Sequence, residues 1–501
     1  MTEGETPDPA ADQQVTGDTG SREPRDDFVT TRHTLAAAGG RTFDYTATSG
    51  RLILRVESHT DDTFDGHVVK AEVFVTSYTV DGADPLTRPV TFAFNGGPGS
   101  SSVWLHLGLL GPRRVVMGDA GALLPPPYGL ADNAESLLAE SDLVFVDPVS
   151  TGYSRVAKGQ KPKDFHGYTG DLESVAEVIR LWTSRHGRWM SPKYLCGESY
   201  GTLRAAGLAA YLQERLGMYL NGIMLISSVL DLGTLEFGGH NDVPFTLYLP
   251  TYAAIAHYHG RHGDRPLAEV LAEAEAYAAR DYPWALARGA RLSADERAGA
   301  VSTVARLAGL TEDYVDRVNL RIEHLRFFSE VLRDQRRTVG RLDGRFAGWS
   351  DDYAREQLPA DPSYKAIQGP YTAALNHYVR TELGYRNDLP YEILTGNVRP
   401  WSFKEYENKH VEVASELSGA MRANPHLRVY VACGYHDGAT PYFAAEHTFA
   451  HLTVPEELRA NVEFAYFEAG HMMYVHEPSR LAQSAQLWDF VRGYVPHEGS
   501  Q

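Results

Sequence analysis

Gly197-Glu198-Ser199-Tyr200-Gly201 is the stretch of this chain best suited to chemistry. It follows the short apolar run Tyr194-Leu195-Cys196 and precedes the helix-permissive Leu203-Arg204-Ala205-Ala206. A G-x-S-x-G pattern between a strand and a helix is the context of a nucleophile elbow. The glycines are required because a Cβ at either position of so sharp a turn would collide with the neighbouring strand or helix. The turn lifts the Ser199 hydroxyl out of the sheet, where a base can reach it. A serine hydroxyl also needs that base oriented by an acid. Two strand ends downstream offer the pair. Arg428 to Gly434 reads as a buried strand running into the turn-rich Tyr435-His436-Asp437-Gly438-Ala439-Thr440-Pro441. Val462 to Phe467 alternates like a strand and ends in Glu468-Ala469-Gly470-His471-Met472. Taken singly, Asp437 shapes a turn and His471 is one of 20 histidines. In the order Ser, Asp, His, each just past a strand end, they read as a catalytic triad.

An oxyanion hole requires N–H groups converging on one point. Thr91 to Phe94 reads as a strand, followed by Asn95-Gly96-Gly97-Pro98-Gly99-Ser100-Ser101-Ser102. The rival reading, a phosphate cradle, lacks the lysine of G-x-x-x-x-G-K-[ST].

Four segments in order resemble the serine carboxypeptidases. They are Asn95 to Ser102, Asp147-Pro148-Val149-Ser150-Thr151-Gly152-Tyr153-Ser154, Gly197 to Gly201, and Ala469 to Met472. The resemblance runs from about residue 90 to 480 and is to a bacterial-type member. It implies an α/β-hydrolase fold, acyl transfer through Ser199 and release of C-terminal residues from peptides. It assigns the oxyanion donors to the N–H groups of Gly97 and Tyr200, and contacts with the substrate's terminal carboxylate to Asn95, Gly96 and Glu198. The chain also departs from the family. Eukaryotic members carry a second glutamate in a Glu-Leu-Gly-Pro segment, sharing a proton with the one before the nucleophile. Here the segment is Leu109-Leu110-Gly111-Pro112, which leaves Glu198 without that partner. An ionised Glu198 would repel a terminal carboxylate. Exopeptidase selectivity is then expected to be weak unless a cation such as Arg113 or Arg204 compensates, with a pH optimum nearer neutrality.

The remaining sequence must position these groups. Opening antiparallel strands are expected at Thr42 to Thr46, Arg51 to Val56 and Lys70 to Thr76, followed by central strands at Asp142 to Val146 and Gly222 to Ile226. A helix from Asp171 to His186 places Leu172, Val175, Val178, Ile179 and Trp182 on one face. Between Asp231 and Asn424 helices dominate. Pro266 starts one; Ser293 with Glu296 makes a capping box for a second; Ile322, Leu325, Phe328 and Leu332 mark a third. The expected architecture is α/β: an α/β-hydrolase fold, a mostly parallel central sheet with a helical cap insertion after the sixth strand. The divisions are a disordered acidic tail over 1–30, hydrolase core over 31–231 and 425–501, and a mainly helical cap over 232–424.

Composition narrows the alternatives. The chain of 501 residues is 43% hydrophobic, enough for a sizeable core, and its longest apolar runs are strand-length. A net charge of −18 argues against nucleic acid or an anionic membrane as partner. Met1 to Asp27 holds eight acidic residues against two arginines and lacks the basic start and apolar run of a secretory signal. Only two cysteines occur, Cys196 and Cys433, both in expected buried strands, where packed free thiols are favoured over a disulfide. These features point to the cytoplasm. The cluster His257-Tyr258-His259-Gly260-Arg261-His262-Gly263-Asp264 carries metal-ligating side chains, but its arginine disfavours a cation and a polar loop is the simpler reading. No metal and no cofactor are expected. Three functional readings stand: a serine carboxypeptidase acting on peptides, an esterase or amidase acting on small acyl substrates, and a binding protein with an inactive site. Oligomeric state is not legible.

Overall fold

A computed structural model describes residues 24–118, 120 and 124–493. Its centre is a sheet whose main strands are β1 (Val29–Ala37), β2 (Arg41–Thr60), β3 (Thr63–Val80), β4 (Val90–Phe94), β5 (Asp142–Val146), β6 (Lys193–Glu198), β7 (Gly222–Ile226), β8 (Arg428–Gly434) and β9 (Val462–Phe467). They lie in the order β1-β2-β3-β5-β4-β6-β7-β8-β9, and the short strand Arg155–Val156 pairs with β3. β1, β2, β3 and β5 pair antiparallel; from β5 to β9 every pairing is parallel. β4, β5, β6 and β7 are buried along their whole length, which is why they read as apolar runs without alternation. The pleat still sorts their side chains. Leu195, Ile223, Val429 and Val431 join one core with Val175, Ile179 and Trp182 of the helix Tyr168–Arg185. Cys196, Met224 and Tyr430 join a second core on the opposite face with Phe490. The two cysteines are free and fall in different cores, Cys433 packing with the first.

The opening strands are longer than expected. β2 runs unbroken through Ser49-Gly50, where a gap was expected. Gly50 stays in the strand because Phe28 crosses it: a Cβ there would come within 2.6 Å of the Phe28 Cα. The expected tail also ends earlier. Residues 1–23 lie outside the described residues, but Val29 already begins β1, and Asp26 and Asp27 pair with Arg185 and Arg51. β1 is an added edge strand, so the insertion after β7 follows the sixth strand counted from β2.

That insertion carries the helices Val243–Tyr258, Leu267–Arg288, Ala294–Ala308 and Pro362–Thr381. The first three share their own core, including Tyr252, Val270, Val304 and Phe327. The capping box forms: Ser293 Oγ accepts from the Glu296 N–H and Glu296 accepts from the Ser293 N–H. The expected third helix is shorter, His324–Glu330, because the Glu323 carboxylate caps the N–H groups of Leu325 and Arg326 and so shuts out Ile322. Among the described residues no helix is long and apolar enough to cross a membrane.

Candidate active site

Ser199 sits between β6 and the helix Tyr200–Leu216 with φ 59° and ψ −129°. A non-glycine residue held there costs on the order of 1–3 kcal/mol, so the surroundings must impose it. They do so through backbone. The Ser199 N–H donates to Ile226 O at 3.0 Å, and its carbonyl accepts from the Thr202 N–H and hydroxyl. A Cβ at Gly197 would come within 2.1 Å of Gly201 O, and one at Gly201 within 2.8 Å of Phe94 O. Both elbow glycines are therefore steric requirements.

Asp437 follows β8 and is fully buried. Its Oδ1 accepts from the N–H groups of Ala439 and Thr440, and its Oδ2 from the Thr440 hydroxyl and from His471 Nδ1 at 2.8 Å. With Nδ1 donating, His471 Nε2 keeps its lone pair. Burial pulls the imidazole pKa down, but the charge and hydrogen bond of Asp437, with the Glu198 charge, outweigh it and leave it above the ordinary value. The His471 backbone is clamped as well: its N–H donates to Leu342 O at 2.6 Å and its carbonyl accepts from Ser227 Oγ at 2.6 Å.

Ser199 and His471 face one cavity of about 420 Å³, with Asn95, Gly96, Gly97 and Glu198 also on its wall. Tyr200 opens its helix, so its N–H has no intrahelical acceptor. Gly97 adopts φ +105°, and Gly96 lies so close to the elbow that a Cβ would reach 2.4 Å from Tyr200 N. The Asp147 motif supports this loop from behind, Oδ1 accepting from the N–H and hydroxyl of Ser102. Seven of the eight candidate site residues line this cavity or its elbow, and Asp437 joins them through His471.

Glu198 is not left alone. Its Oε1 accepts from Asn95 Nδ2 at 2.9 Å and its Oε2 from the Tyr474 hydroxyl at 2.5 Å. The Tyr474 ring packs on Gly108, where a Cβ would approach Cε2 to 2.3 Å, beside the buried Leu109. A tyrosine hydroxyl therefore occupies Glu198 although the glutamate is missing, a contact sequence reasoning missed. Burial raises the Glu198 carboxyl to about 7, against the downward pull of His471, Tyr474 and Asn95. The premise of an isolated, ionised Glu198 is corrected accordingly. The suggested compensating cations are corrected too. Arg204 is buried in an ion pair with Asp171 and braces the loop through Asn95 O, while Arg113 pairs with Asp132 and Glu382. The cations on the cavity wall are Arg341 and Arg399, both from the insertion.

The histidine cluster at 257–264 is spent on carbonyls: His257, His259 and His262 bond to Arg265 O, Gly344 O and Leu307 O respectively. Among the described residues no group of three or more His, Cys, Asp or Glu is placed to hold a metal ion.

Sheet order, elbow and crossover helices define an α/β-hydrolase. Over 91% of its length the chain superimposes on 93% of Kex1(Δ)p, a prohormone-processing carboxypeptidase from Saccharomyces cerevisiae, with a TM-score of 0.55 at 15% identity, which shows the shared fold. Residues 72–236 match the family model described as serine carboxypeptidase. Serine carboxypeptidase-like 16 of Arabidopsis thaliana is 30% identical over 122 residues, 24% of this chain and 26% of that protein. Serine carboxypeptidase-like 25 of the same plant is 28% identical over 169 residues, 30% of this chain and 33% of that protein. The matches thus span about a quarter to a third of these curated relatives. Over residues 72–236 the chain is similar to the serine carboxypeptidase family. These relatives are plant and yeast proteins, and nothing among them supports the expected bacterial type.

Proposed function

We propose that the protein is a serine-type carboxypeptidase that releases C-terminal residues from peptides through an acyl-enzyme on Ser199. The observation that carries this reading is Ser199, held at φ 59° on the cavity that also takes in His471, itself bonded to Asp437. His471 Nε2 accepts the Ser199 proton as the oxygen attacks the peptide carbonyl. Asp437 holds the imidazole in that orientation and stabilises its charge. The N–H groups of Gly97 and Tyr200 receive the oxyanion. The protonated His471 then gives its proton to the leaving amine, and water hydrolyses the acyl-enzyme by the same route. Asn95 and Glu198 receive the terminal carboxylate, with Glu198 competent while it is protonated.

An esterase or amidase using the same groups is the second reading, favoured by Leu109 standing where the family glutamate would be. Residues 232–424 act as a cap that admits small or unfolded substrates, which is supported by their share of the cavity wall. A cytoplasmic location belongs to the same proposal, supported by the two buried free thiols, and cell fractionation tests it.

Ser199→Ala should lower kcat/KM by about 10⁴- to 10⁶-fold. Turnover within tenfold of the unaltered protein would remove Ser199 from the reaction. Blocked dipeptides with a free C-terminus, compared with their amidated counterparts, separate the two readings: a carboxypeptidase prefers the former.

A further inference from the structure

Arg341 and Arg399 have no place in the mechanism above, yet both face the cavity that holds Ser199. They reach it from separate loops. Arg341 precedes Leu342, whose carbonyl accepts the His471 N–H at 2.6 Å, so it lies on the histidine side. Arg399 belongs to a loop anchored by the Thr395 N–H to Gly99 O at 2.9 Å, so it lies on the oxyanion-loop side. Among the described residues neither guanidinium has a carboxylate within ion-pair distance. In a chain with 65 acidic residues against 47 basic ones, such pairing is easily found. Nearby arginines do find it, Arg345 with Asp343 and Arg333 with Glu330.

Of the two acids on the same cavity wall, Glu198 is held by Asn95 and Tyr474, and Asp361 is used elsewhere. Asp361 accepts from the backbone N–H groups of Arg341, Leu342, Ser363 and Tyr364 and from the Ser363 hydroxyl. Its carboxylate fixes the loop and the start of the helix Pro362–Thr381, and leaves the Arg341 side chain to the cavity. Two uncompensated guanidiniums flanking a nucleophile reverse, locally, the repulsion that a net charge of −18 exerts on anions. Their planar donor forks match a carboxylate.

We propose that Arg341 and Arg399 form an anion subsite, distinct in its residues from Asn95 and Glu198, that takes an acidic side chain of the substrate. The inference deepens the proposed function and rests on it for the identity of the cavity as the reaction site. The carboxylate is that of an acidic side chain, since the proposed function gives the peptide terminus to Asn95 and Glu198.

Binding separates the two carboxylates without requiring turnover. The probes are four peptides: blocked Ala-Glu and Ala-Gln, each with a free and an amidated terminus, titrated calorimetrically into full-length Ser199→Ala protein. At a fixed terminus the Ala-Glu peptide should bind at least about tenfold more tightly than the Ala-Gln peptide. The free against amidated arm reads the Asn95–Glu198 end, and the Ala-Glu against Ala-Gln arm reads the arginines. In the added Arg341→Gln/Arg399→Gln background that ratio should fall to about one. Salt provides a test on the Ser199→Ala protein alone: going from about 50 to about 500 mM should weaken the Ala-Glu peptide selectively. Equal binding of the Ala-Glu and Ala-Gln peptides, or a side-chain preference that survives both substitutions, overturns the subsite. Loss of hydrolysis in the unaltered protein would instead overturn the proposed function and leave the binding result standing.

Discussion

On the sheet side of the cavity, backbone meets backbone. A Cβ at Gly96 would reach Tyr200 N, Glu198 O and Gly201 N, all within 2.8 Å, and one at Gly197 would strike Gly201 O. On the insertion side, Arg341, Tyr364, Ile367, Leu394 and Arg399 contribute side chains from loops and one helix. The first wall sets where N–H groups and the nucleophile sit, and any added atom moves them. The second wall can exchange one side chain for another while Ser199, Asp437 and His471 keep their places. Under the proposed function the sheet wall sets the reaction and receives the peptide terminus, and the insertion wall sets the choice of side chain.

The sharpest way to break this comparison is Gly96→Ala. The new methyl must push the Asn95–Ser100 loop off the elbow, which displaces the Gly97 donor. A kcat loss of about 10²- to 10³-fold, equal for charged and neutral substrates, is the expected outcome in steady-state kinetics. A smaller effect should appear in pH profiles. His471 serves as a base only when neutral, and its raised pKa puts that limb above 6.5. Glu198 is protonated below about 7 and charged above it, where it repels a terminal carboxylate. Free-carboxylate peptides should therefore show a kcat/KM maximum near neutrality that falls on both sides, while a neutral ester should only rise to a plateau. A maximum near about pH 5 would contradict both assignments.

Tyr474→Phe probes the same limb more gently. Its hydroxyl pulls the Glu198 pKa down, so losing it should move the alkaline limb of the peptide profile upward and leave the ester profile in place. Stability should drop by about 1 kcal/mol from the unmet Glu198 oxygen. The smallest effect is expected at Ser293→Ala, in the part of the insertion with its own core. Loss of the cap should cost about 1 kcal/mol in urea melts without changing kcat/KM.

Legibility in the sequence follows the same division. β5, β7 and β8 have the ends that apolar runs and turn residues indicated, because local pattern and burial agree along a central strand, while the edge strand β9 was legible from its alternation. Ser199, Asp437 and His471 were readable because each lies just past such a strand. Arg341 and Arg399 were not, since they occupy loops without period or motif and reach the cavity only through distant contacts with His471 and Gly99. Tyr474 was hidden for a related reason: its partner lies 276 residues away. Gly50 misled because a glycine inside a strand looks like a break until the crossing Phe28 is seen.

The bond from the His471 N–H to Leu342 O has company: Gly344 N–H donates to His436 O, and an Arg345 guanidinium N–H to Glu468 O. The insertion is thus stitched to both loops that carry the acid and the base. A hinge that swung this part of the insertion aside would have to break the bond to His471 or carry His471 with it. Under the proposed function, a substrate that lifts this part of the insertion on its way in must first break those three bonds.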